Sequence, residues 1–102
     1  GHRVTRRLRV RPEAEAEIDS AVQWYESKRP ALGAEFMAAL DNALDDALAA
    51  PEASPVWRAG YPFRKYVVRR FPYVVLFTVT HEDVEVVAVA HAKRRAGYWL
   101  RR

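Results

Sequence analysis

Residues 63–91, FRKYVVRRFPYVVLFTVTHEDVEVVAVAH, decide the fold. Three runs rich in Val, Phe and Tyr occupy about 63–70, 73–80 and 84–91, parted by Phe71-Pro72 and by His81-Glu82-Asp83. β-branched and aromatic residues between turn-forming breaks predict strands, here an antiparallel meander. With a tight turn at Glu82-Asp83, Val75, Phe77 and Val79 share one face with Val86, Ala88 and Ala90. Val74, Leu76, Val87 and Val89 take the other. Both faces are then apolar. A small sheet with one face in water would alternate apolar with polar residues, so the second apolar face predicts a groove covered by a partner or by the chain's own carboxyl tail.

Upstream, the period changes. Residues 3–11 read as a half-buried strand, with Val4, Leu8 and Val10 on one side and Arg7, Arg9 and Arg11 on the other; Arg6 falls on the apolar side. Pro12 ends this strand and opens a helix whose Glu13, Glu15 and Glu17 lie near the positive end of its dipole. That helix runs to about Lys28, with Ile18, Ala21, Val22 and Tyr25 as its buried stripe. Pro30 forces a reversal, and Leu32, Phe36, Leu40, Leu44 and Leu48 recur at the spacing of a second helix, closed by Pro51. Residues 51–62, with three prolines and Gly60, read as an ordered loop pinned by Trp57 and Tyr61. The order of one strand, two helices and three strands predicts an α+β fold: a helical hairpin on one face of a four-stranded, mostly antiparallel sheet.

The chain's 102 residues suit one domain, placed at 3–102, with Gly1-His2 read as the remnant of an expression tag. No cysteine is present, which excludes a disulfide scaffold, a thiolate metal site and a cysteine nucleophile. No apolar run reaches the roughly 20 residues of a membrane span, and the lack of cysteine suits a reducing cytoplasm, the expected location. Charge is segregated. Residues 1–11 hold five Arg and no acid (+5), residues 12–52 two bases against ten acids (−8), and residues 53–102 ten bases against three acids (+7). The basic ends predict attraction to phosphate or to an acidic protein.

His81 and His91 are on the order of 30 Å apart along a straight strand, so they form no metal pair. No phosphate-cradling glycine loop and no nucleophile elbow occurs, which argues against small-molecule enzymes and against a cofactor. The residues left to carry function are the carboxyl-terminal cations and aromatics. Lys93, Arg94 and Arg95 can join Arg64, Lys65, Arg69 and Arg70 across the sheet in one patch that binds a target or a nucleic acid, with Tyr98 and Trp99 as stacking groups.

The stretches 69–77, RRFPYVVLF, and 86–99, VVAVAHAKRRAGYW, resemble the carboxyl-terminal signature of RelE/ParE toxins, in which Phe-Pro-Tyr leads into the central strand and a last strand ends in His, a basic cluster and an aromatic. The likeness extends over about residues 5–100 and is stronger toward ParE-like members. It implies a type II toxin held in check by a cognate antitoxin, for whose contact the apolar set Val74, Leu76, Val87 and Val89 is the candidate. Two activities follow from the resemblance: ParE-like binding of DNA gyrase, or RelE-like cleavage of messenger RNA on the ribosome; a toxin relic that only binds is a third reading. Cleavage would need groups to move protons and stabilise phosphate charge, and His91, Lys93, Arg94 and Tyr98 are the candidates. The cleaving members carry Arg after the tyrosine that opens the central strand, where Tyr73 is followed by Val74. They also carry Arg beyond the last strand and Tyr six residues later, where this chain has Lys93 and Trp99, or Arg94 and Tyr98 on a one-residue shift. The degraded set favours the non-hydrolytic reading.

Overall fold

The computed structural model describes residues 5–102; Gly1-His2 and the expected strand start at Arg3 and Val4 lie outside them. Strand β1 (Arg7–Val10) leads into helix α1 (Pro12–Lys28) and helix α2 (Leu32–Ala49), followed by a short 3-10 turn at Pro51–Ala53. Strands β2 (Arg64–Val67), β3 (Tyr73–Val79) and β4 (Asp83–His91) then form the meander, and a second 3-10 turn, Tyr98–Arg101, ends the chain. The order across the sheet is β1-β4-β3-β2, with β1 parallel to β4 and the other pairs antiparallel. The helical hairpin makes the parallel pairing possible, because it carries the chain from one edge of the sheet to the other before the meander begins.

Local chemistry sets the hairpin. Pro12 occupies the first turn of α1, where its missing N–H costs nothing. At the reversal Ala31 takes a left-handed conformation, φ 71°. The carboxylate of Glu26 accepts the backbone N–H groups of Ala31 and Gly33, each at 3.0 Å, so one helix caps the start of the next. Gly33 is buried where a Cβ would stand 2.8 Å from the carbonyl oxygen of Val22, and this lets the two helices approach closely.

The main core lies between hairpin and sheet. Phe36 and Leu40 meet Val75, Phe77, Val84, Val86 and Val89, closed at one end by Tyr25, Phe71 and Tyr73 in edge-on contacts. A β-bulge corrects the expected alternation. Leu76 pairs with Ala88 but Phe77 pairs with Val86, leaving Val87 as the extra residue. Val86 faces the helices as expected. Beyond the bulge the faces exchange, so Val89 packs on the helix side while Ala88 and Ala90 join Val74, Leu76 and Val87 on the other. That second apolar face is covered by the chain itself: Trp99 sits on it, with Trp57, Phe63 and Tyr98 alongside. Leu76 and Val87 are thus sealed beneath the tail and Val89 beneath the helices, and of the four residues assigned to an antitoxin only Val74 is partly open.

Candidate functional site

The site is built where β4 runs out. Ala92 N–H still reaches the Pro72 carbonyl at 2.7 Å, Gly97 turns the chain at φ 81°, and the closing 3-10 turn lays Trp99 beneath the sheet. The Trp99 ring stands edge-on to Trp57 at 4.8 Å and to Phe63 at 6.2 Å. Its Nε1–H has no acceptor among the described residues, a cost of roughly 1–3 kcal/mol that ring burial must exceed.

Glu17 of α1 fastens this tail. Its carboxylate accepts the Tyr98 hydroxyl, the Arg102 guanidinium at 3.0 Å and the Val89 backbone N–H at 3.1 Å. Arg102 also donates to the Val87 carbonyl at 3.0 Å. Burial, and then the bond to Glu17, push the Tyr98 phenol far above its ordinary range. The same carboxylate raises the Arg102 guanidinium. The Arg94 guanidinium lies 3.8 Å from the Tyr98 ring centre, so both sides of the tyrosine are engaged.

Beside this latch, a groove of about 660 Å³ runs between α1 and the end of the sheet, lined by Trp24, Tyr73, Val89, His91, Arg94 and Arg102 among others. His91 stands edge-on to Tyr73 at 5.2 Å. Its Nδ1 accepts the Lys93 backbone N–H at 3.1 Å, so the neutral ring carries its proton on Nε2. Burial raises the Tyr73 phenol as well.

His91 and Arg94 are therefore brought together in the groove, with Arg94 stacked on Tyr98, while Lys93 meets His91 only through its backbone N–H. The other expected cations are not gathered into one patch with them. Arg64 is turned onto the Ser54 and Glu52 carbonyls at 2.6 and 3.3 Å. Arg70, held at φ 75°, pairs with Glu35 of α2 at 3.0 Å. Arg69 lines a separate groove against Asp45 and Asp46 of α2, and Lys65 lies on the tail face of β2. Lys65, Lys93 and Arg95 are exposed and have no carboxylate partner among the described residues. Trp99, expected as a stacking residue, is core. Glu17 was legible in sequence only as a dipole-favouring acid, because its partners lie more than seventy residues away. Among the described residues no cluster of His, Asp and Glu could hold a metal ion, and no helix is long and apolar enough to cross a membrane.

Comparison with known proteins adds a family to this geometry. The family model described as "ParE toxin of type II toxin-antitoxin system, parDE" matches residues 8–96. No curated protein matches the chain. Among solved structures, the chromosomal ParDE TA system from P. aeruginosa superposes with a TM-score of 0.76 at 13% identity, covering 87% of this chain and 98% of that one. At that identity the likeness is one of fold.

Proposed function

This chain belongs to the ParE toxin family of type II toxin-antitoxin systems, and from that premise we propose that it acts by gripping a macromolecular target, DNA gyrase, and is neutralised by a cognate antitoxin in the bacterial cytoplasm. One observation carries the choice of binding over cleavage: the phenol a metal-free nuclease would draw on, Tyr98, is committed to holding the tail. Tyr98 donates its hydroxyl proton to Glu17 and resists ionisation, so its phenolate is not populated as a base and its proton is not free for a leaving oxygen. Trp99 is buried and has no phenol to offer. What stays free is positive charge on a fixed support, which suits electrostatic docking.

The RelE-like reading has one observation in its favour, the shared groove of His91 and Arg94. The two readings part in a paired assay. Purified protein is added to gyrase with relaxed plasmid, and separately to translating ribosomes with defined messenger. Loss of supercoiling with intact messenger is expected. Messenger cleavage at concentrations that leave gyrase untouched would overturn the proposal, and absence of both effects, with no growth arrest on expression, would leave only the binding relic.

A further inference from the structure

The groove between α1 and the end of the sheet holds more binding capacity than the latch beside it uses. Its volume of about 660 Å³ falls within the roughly 300–1,000 Å³ of small-molecule sites. Along α1, the small side chains of Ala16, Ser20 and Ala21 leave a slot between Glu13 at one end and Trp24 at the other. Trp24 is 55% exposed, although an indole ring is among the costliest groups to leave in water. The sheet side of the groove offers the half-buried rings of Tyr73 and His91. The polar groups divide into spent and unspent. Glu17 is taken up by Tyr98, Arg102 and the Val89 N–H, and Arg102 by Glu17 and the Val87 carbonyl. The Tyr25 and Tyr73 hydroxyls meet no hydrogen-bond partner among the described residues. Burial, and then Tyr73, raises the Tyr25 phenol; burial, and then Glu17, raises that of Tyr73, so both keep their protons and can donate. His91 presents its Nε2–H, because Nδ1 accepts the Lys93 N–H. The Arg94 guanidinium has no carboxylate partner among the described residues, and its stacking on Tyr98 holds its fork of donors in place. Lys28, 4.7 Å from the Trp24 ring centre, adds positive charge at that end. Apart from Glu13, every unspent polar group here can donate a hydrogen bond or is a cation.

We propose that this groove binds a small planar aromatic acid, one ring system carrying a single carboxylate or phosphate, with the ring against Trp24, Tyr73 and His91 and the anion on Arg94. Three features select that ligand. Flat rings stack on the exposed indole and its aromatic neighbours. A planar anion matches the guanidinium fork. Glu13 closes the far end against a second phosphate, which sets a single small acid apart from a nucleic-acid strand. The inference goes beyond the toxin reading and stands without it, since this binding asks nothing of gyrase or of an antitoxin.

The test is a titration of the isotope-labelled full chain, followed by NMR, with indoleacetate and with adenosine monophosphate, beside their uncharged counterparts indoleacetamide and adenosine. The expected result is saturable shifts at the Trp24 indole N–H and at the amides of Ala21, His91 and Arg94 with at least one acid, and the tighter of the two identifies the anion. The uncharged counterpart should bind about tenfold more weakly, and Arg94→Gln should abolish that preference, as the loss of one charge-assisted hydrogen bond implies. Trp24→Leu should weaken acid and counterpart alike, about tenfold, as the loss of one stacking face implies. Both positions are exposed, and an unchanged melting profile shows that each variant is folded. No saturable binding of either acid, equal binding of the uncharged forms, or shifts away from the groove would overturn the proposal. So would tighter binding of a short single-stranded RNA to the same residues, which would make the groove a nucleic-acid track. A chain that inhibits gyrase but binds neither acid sinks this proposal alone; one that binds an acid here but leaves gyrase untouched sinks only the gyrase reading.

Discussion

Replacing Glu17 by Gln tests whether the tail is latched or merely adjacent. The exchange conserves volume and one acceptor oxygen but removes the charge that serves Tyr98 and Arg102 together. The ionic pair is well shielded, with side-chain exposures of 15% for Glu17 and 17% for Arg102. Charge-assisted bonds are each worth roughly 1 kcal/mol more than neutral ones. With two of them weakened, the expected loss is about 2 kcal/mol, a fall in Tm of about 8–16 °C for a domain of this size. Thermal melts followed by circular dichroism give that number, and Trp99 fluorescence reports whether the indole becomes wet. A cycle with Arg102→Ala adds a second check, because residues sharing one contact should be non-additive by about 1 kcal/mol. A drop below about 0.5 kcal/mol, or simple additivity, would refute the latch and return the tail to the status of a solvated appendage.

Trp99→Ala is expected to cost about 3–5 kcal/mol in chemical denaturation, as for other buried aromatics; a loss under about 1 kcal/mol would mean that the ring is free to stack on a ligand. Gly33→Ala should destabilise by about 1–3 kcal/mol, since the new methyl meets the Val22 carbonyl and the helices must part; an unchanged denaturation midpoint would contradict that close crossing. The Tyr98 phenol is raised above its ordinary 10.0 in the folded chain, so its contribution to stability is whole below pH 10.0 and is lost as pH rises toward the folded value. Tyr98→Phe should therefore flatten the alkaline fall in stability, and phenolate absorbance should show one tyrosine that ionises only on unfolding. Glu35 is held below its ordinary 4.5 by Arg29 and Arg70. Its contribution is present above pH 4.5 and lost as pH falls through the folded value, so Glu35→Gln should shrink the acid-side loss measured in the same melts.

The elements were legible in the sequence because each follows a local rule. Pro12 and Pro30 bracket α1, the Phe36-Leu40-Leu44 stripe marks α2, and Phe71-Pro72 divides β2 from β3. What failed was long-range. Strict alternation placed Val89 with Val87, and one extra residue opposite the Leu76-Phe77 step moved it to the helix side. No composition signal marks that bulge. The cation patch failed for a related reason: sequence shows charge but not partners, and Arg64 and Arg70 are taken up by the Ser54 carbonyl and the Glu35 carboxylate.

The run Ala88-Val89-Ala90 held a clue that strand propensity alone discards. Alanine is a poor strand residue, yet two stand in the longest strand of this sheet, both on the face that receives Trp99. Small side chains there make room for an indole, so the bulge, the alanines and the buried tryptophan are parts of one packing solution. That solution bears on activity. Once Trp99 is core and Tyr98 is tied to Glu17, the tail cannot rearrange around a scissile phosphate without unpacking a hydrophobic cluster, a change of several kcal/mol. The same rigidity suits a binding protein, because Lys93, Arg94 and Arg95 are presented on a support whose ordering was completed when the chain folded, and docking then requires little further loss of freedom.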